Sequence, residues 1–237
     1  MTALVRGELI KATTTRTLLA YASSALFLAV LALVIMTQTQ DLTSIGDKET
    51  ALAGGPILLL LLGIVGAAGE YRHRTAAPAA LVAPGRGRLL TARAAAYGLT
   101  GLAIGAAMVA VTLAVGLPLL ESEPGTALTA GDVATVAGGS VAAAVLSAIM
   151  GVAVGTLLRN QVAGVVGALV LAFIVEPLVG TLSSGAVDYL PIGSASALAG
   201  QDTSGTLSAT GALLVLLAWT VPLVVAAIVS ERRRDVA

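Results

Sequence analysis

The sequence predicts an all-α, polytopic membrane protein. Of 237 residues, 57% are hydrophobic and only 11% charged, whereas charged residues make up about a quarter of a soluble domain. Six apolar runs each approach the ~20 residues that cross ~30 Å of hydrocarbon. Basic and acidic residues alternate between successive connecting segments, although the net charge is zero.

The apolar runs cover residues 18–37, 51–69, 94–118, 133–157, 162–182 and 209–230, so 1–237 reads as a single transmembrane domain. Ala, Gly and Pro inside them would weaken soluble helices. In lipid the backbone has no water to bond, and helix is the state that satisfies its own donors and acceptors.

Basic residues orient the spans. Arg6, Lys11 and Arg16 precede the first, and Arg72, Arg74, Arg86, Arg88 and Arg93 lie around the joint between the second and third. Arg159 separates the fourth and fifth, and Arg232, Arg233 and Arg234 follow the sixth. The positive-inside rule places all four segments in the cytoplasm, which requires an even number of spans and both termini inside. The other joints hold Asp41, Asp47 and Glu49, then Glu121, Glu123 and Asp132, then Asp188 and Asp202, with Lys48 their single basic residue.

Residues 1–17 do not read as a cleaved leader, because Glu8 and Lys11 interrupt the stretch and the following run is long enough to span. Val5, Leu9 and Ala12 form a short apolar stripe with Glu8, Lys11 and Thr15 to another side, as in a helix lying at the membrane surface. An ordinary charged flank of the first span is the alternative.

Two connecting segments stand out. Residues 70–93 form the longest cytoplasmic joint and read as a docking loop: Glu70, Tyr71, Arg72, His73 and Arg74, then Thr75 to Ala83, then Pro84-Gly85-Arg86-Gly87-Arg88. The plainer reading is that these arginines fix topology and meet anionic headgroups. Residues 183–208, on the outer side, include Tyr189-Leu190-Pro191-Ile192-Gly193 and Ala197-Leu198-Ala199. That is too apolar for a plainly solvated loop, and a dip back into the membrane is one reading, an anchored outer loop the other.

Glu176 is the ionisable residue set deep in an apolar run, about 14 residues or ~21 Å from the run's cytoplasmic start. An intramembrane carboxylate usually faces a bundle interior or aqueous path, which makes Glu176 and Pro177 candidates for a translocation pathway or subunit seam. Alternatively, Pro177 ends the helix and Glu176 reaches water. The pairs Gly101/Gly105 and Gly151/Gly155 permit close helix approach, and packing within one subunit is their expected use.

Several chemistries are excluded. With no cysteine and one histidine, His73, the chain offers no thiolate or multi-histidine metal site. Lys11 and Lys48, the two lysines weighed for a P-loop, lack its glycines and its following Ser/Thr. No catalytic, cofactor-binding or nucleic-acid-binding residues are expected.

Gly69-Glu70-Tyr71-Arg72-His73 after the second run resembles the GEYRHGT segment of bacterial ABC type-2 permeases. Leu157-Leu158-Arg159-Asn160-Gln161, Val175-Glu176-Pro177-Leu178 and Tyr189-Leu190-Pro191 recur in that order in actinobacterial members, and the six-span layout covers nearly the whole chain. Arg74 departs from the pattern, standing where many members have glycine. The resemblance implies an exporter subunit in the bacterial plasma membrane, with an N-terminal elbow helix at 2–16 and a coupling helix within 70–93 that meets a separate cytoplasmic ATPase. It also implies that two such permeases pair in a dimer, and that ATP and magnesium belong to the ATPase. Two other functions compete: a proton-coupled secondary transporter relaying through Glu176, and a non-transporting immunity or sensor protein of the membrane. Substrate identity has no signature in the sequence.

Overall fold

The computed structural model describes residues 2–14, 16–72, 85–201 and 207–233. Among them every regular element is helical: α1 (Thr2–Thr14), α2 (Arg16–Thr39), α3 (Ile45–Leu52), α4 (Ile57–Arg72), α5 (Arg86–Glu121), α6 (Ala130–Leu158), α7 (Gln161–Leu182), α8 (Pro191–Leu198) and α9 (Ala209–Arg233). Six segments are long and apolar enough to cross a membrane, with α3 and α4 together making one of them. The chain is thus a multi-pass membrane protein.

Helices α4 and α6 form the centre, and α2 and α7 are the most exposed of the six spans. Where α4 crosses α6, small residues bring the two backbones together. A Cβ on Gly151 would stand 2.1 Å from the Leu60 carbonyl oxygen, and one on Gly63 would stand 2.3 Å from that of Ala148. A Cβ on Gly101 would meet Ala144, and one on Gly155 would meet Ile64. Both glycine pairs therefore serve packing within this chain, the mode by which small residues hold helices together in lipid.

The helix ends follow from local chemistry. Ser44 and Asp47 form a capping box at α3, and Thr129 and Asp132 form another at α6, each satisfying two otherwise orphaned amides. Arg159 adopts a left-handed conformation at the C-terminus of α6 (φ 51°), and Asn160 Oδ1 accepts from the Ala163 amide to start α7. Two residues thus reverse the chain.

Three expectations change. The helix that carries the third apolar run begins at Arg86, eight residues before that run, and Glu70–Arg72 still belong to α4, so helix occupies both ends of the 70–93 segment. Charged residues are tolerated there because Arg93 and Glu70 neutralise each other. The helix of the second span is not continuous from 51 to 69, because non-helical backbone at residues 53–55, extended at Ala53, divides α3 from α4. The helix containing Glu176 does not end at Pro177 but runs on to Leu182. Pro177 has no N–H, and just before it the helix widens into a π turn, Leu171–Val175, in which the Glu176 amide reaches the Leu171 carbonyl. Such turns absorb a residue that cannot join the regular ladder.

Candidate functional site

The arginine-rich end of the bundle carries a charged network, and its hub is the last turn of α4. Successive helical residues point about 100° apart, so Glu70, Tyr71 and Arg72 reach three different neighbours. Glu70 pairs with Arg93 on α5 and accepts from Lys11 Nζ on α1 at 3.3 Å. Tyr71 donates its hydroxyl to Glu231 on α9 at 2.6 Å. Arg72 Nη1 donates to Gln161 Oε1 at the start of α7 at 3.3 Å.

Glu8 on α1 closes the first branch. Its carboxylate accepts from Lys11 Nζ at 2.7 Å and from Arg93 Nε at 3.2 Å. The Glu8 and Arg93 side chains are each 5% exposed, whereas that of Lys11 is 53% exposed. Two carboxylates and two cations cancel, which is what burial of charge at a helix junction demands. Glu8 sits one helical step from the Leu9–Ala12 stripe, so the face that α1 buries includes this acid. The expected placement of Glu8 on the polar side is corrected accordingly. Partial burial lowers the affinity of Lys11 for its proton, but the Glu8 hydrogen bond and the Glu70 and Glu8 charges outweigh it and hold the pKa above the ordinary 10.5.

The second branch joins α4, α6 and α9. Arg159 donates from Nη2 to Glu231 Oε1 at 2.7 Å, and its guanidinium lies 5.1 Å from the centroid of the Tyr71 ring, within reach of a cation–π contact. At this end the acids Glu8, Glu70 and Glu231 all face inward, while Arg6, Lys11, Arg16, Arg72, Arg88, Arg232 and Arg233 are exposed. The described surface here is therefore uniformly positive.

His73 and Arg74 lie outside the described residues. Glu70, Tyr71 and Arg72 come together in the network, while Glu176 and Pro177 belong to the opposite half of the molecule. Sequence reading missed Glu8, Arg93, Arg159 and Glu231 as partners. The available signal was three acids embedded in otherwise cationic segments.

Glu176 is 4% exposed and does not reach water. Its Oε1 accepts from the Ile192 amide at 2.9 Å, and the Gly193 amide lies beside it. These amides open α8, whose N-cap, Leu190, offers no side-chain acceptor. The first amides of a helix have no intrahelical partner, and Glu176 supplies one from across the fold.

Helix α8 is buried against α6 and α9, so residues 191–198 of the 183–208 segment pack into the bundle; residues 202–206 lie outside the described residues. Ser140 on α6 donates to the Ala199 carbonyl at 3.1 Å and accepts from the Gly54 amide at 3.4 Å, joining the end of α8 to the break between α3 and α4. Thr50 Oγ1 donates to the Gly200 carbonyl at 3.2 Å. Lys48, 2% exposed, points its ammonium at the carbonyls of Leu120 in the last turn of α5 and of Glu123 just beyond it, where a cation complements the helix dipole.

No protein-family model matches the chain, and no curated protein matches it.

Proposed function

We propose that this chain is the membrane-spanning permease subunit of an ABC type-2 exporter, and that a separate cytoplasmic ATPase docks at the arginine-rich end. The observation that supports this reading best is the hub at Glu70–Arg72. Three of the five residues in the Gly69–His73 segment that resembles the family are the ones whose side chains tie α4 to α1, α5, α7 and α9. A push on the adjoining 73–84 segment would be shared among five helices. In this reading both termini are cytoplasmic, α1 is the elbow at the inner surface of the plasma membrane, and two permeases pair in each transporter.

The ATPase supplies ATP, magnesium and the hydrolysis step. This chain supplies the pathway and the lever. Closure of the ATPase can bias the bundle only by contacting its two states differently, and the ionic branches are contacts that can change between states.

The test is affinity purification of the tagged chain in mild detergent from its native host. An ATP-binding-cassette ATPase should co-purify, and the pair Arg72→Glu and Arg74→Glu should release it while the variant still purifies as a folded protein. Absence of any ATPase from intact complexes would overturn the reading.

A further inference from the structure

We propose that the groove between α5, α6 and α9 is a binding site for a single lipid acyl chain from the leaflet on the acidic side of the bundle. The groove has a volume of about 750 Å³ and is lined by Leu102, Ala106 and Val109 of α5, Gly138 and Val141 of α6, Leu213 of α9 and further aliphatic residues of the same helices. No lining residue carries a polar side chain. All three helices are membrane-crossing segments, so the groove opens sideways to hydrocarbon.

Its length identifies the occupant. Along α5 the lining runs from Leu102 to Ala110 and along α6 from Ala137 to Leu146, about 12 and 14 Å at ~1.5 Å per residue. That is roughly half of the ~30 Å hydrocarbon core, the depth of one leaflet. On α6 and α9 the lined stretch lies nearer the end that meets the acidic joints, and on α5 it is centred on the 94–118 apolar run.

A second copy would have to cover far more than this strip, about 14 Å long, to reach the ~800 Å² that each partner buries in a standard protein interface. An alkyl chain needs only a narrow, smooth trench. Ala106, Ala110, Ala137, Gly138 and Ala142 are among its lining residues, and a Cβ added at Gly138 would meet nothing within 4 Å. This inference stands apart from the ATPase reading.

The experiment places the purified chain in phosphatidylcholine vesicles carrying a photoactivatable acyl chain, and maps labelled positions by mass spectrometry. Residues 137–146 and 213–217 should be labelled several-fold more than the lipid-exposed face at Phe173, Leu178 and Leu182. Gly138→Leu, which fills open space, should reduce groove labelling several-fold and leave labelling at Phe173 unchanged. Equal labelling of both faces in the unaltered chain would overturn the proposal, and that comparison does not depend on the variant folding. Because the chain has no cysteine, Val141→Cys gives a second measurement. Efficient disulfide formation between copies through this position would show a protein partner in the groove and overturn the proposal equally.

Discussion

Arg93 is the residue on which the charged network turns, because it faces both Glu8 and Glu70 from a nearly water-free position. Breaking a buried ion pair by removing one partner leaves uncompensated charge and destabilises by about 3–5 kcal/mol. Arg93→Met should therefore lower thermal stability in detergent steeply. Combining it with Glu8→Gln and Glu70→Gln should restore much of the loss, since the paired charges and their desolvation then disappear together. If the triple variant is no better than the single one, packing of the arginine stem rather than charge is the cause. Lys11 adds a pH signature. Its folded pKa lies above the unfolded 10.5, so its contribution is fully present below 10.5 and is lost as pH rises through the folded value. The stability gap between the natural chain and Lys11→Met should narrow above pH 10.5, as unfolding measured across alkaline pH would show.

At the scale of elements, the π turn of α7 and the cap of α8 are one device. Opening the helix by one residue at Leu171–Val175 changes the direction of everything beyond it, and the first side chain beyond it is Glu176, aimed at the Ile192 and Gly193 amides. A regular helix would turn Glu176 by about 100° and strand the Ile192 amide. Two variants separate direction from charge. Glu176→Ala should cost about 1–3 kcal/mol, the penalty of leaving a buried donor unpaired, and should speed amide exchange at Ile192. Glu176→Gln keeps an acceptor oxygen and should slow that exchange back toward the natural rate. If Gln exchanges as fast as Ala, the negative charge rather than the hydrogen bond holds α8. The same logic explains why the break after α3 survives inside the bundle, because Ser140 and Gln201 give its backbone amide and carbonyl groups partners. Irregular backbone at such depth is tolerated only where protein surrounds it.

At the scale of the molecule, the number of spans and their approximate limits were legible because hydrocarbon imposes both length and polarity on a sequence. The six runs fall within the observed helices, apart from residues 53–56, where the second span is broken. What was not legible is pairwise. Hydropathy averages out a break of three residues at Ala53–Gly55, and it cannot say that Glu8 meets Arg93 or that Glu231 meets Tyr71, since those contacts join segments far apart in the chain. Pro177 was visible, but its effect depended on how α7 redistributes its hydrogen bonds. The alternation of charge remains the strongest whole-chain signal, and it makes a definite prediction about orientation. Absence of native cysteine allows single cysteines to be introduced one at a time. Cysteines at Thr13 and Arg233 should be shielded from a membrane-impermeant maleimide in intact cells and become reactive after permeabilisation, while cysteines at Ser122 and Ser183 should react in intact cells. The reverse pattern would place the charged hub on the outer face, where no cytoplasmic ATPase could reach it, and the permease reading would fall with the topology. The expected pattern would put Glu70–Arg72 where nucleotide-driven motion originates, leaving the identity of the docked protein as the deciding question.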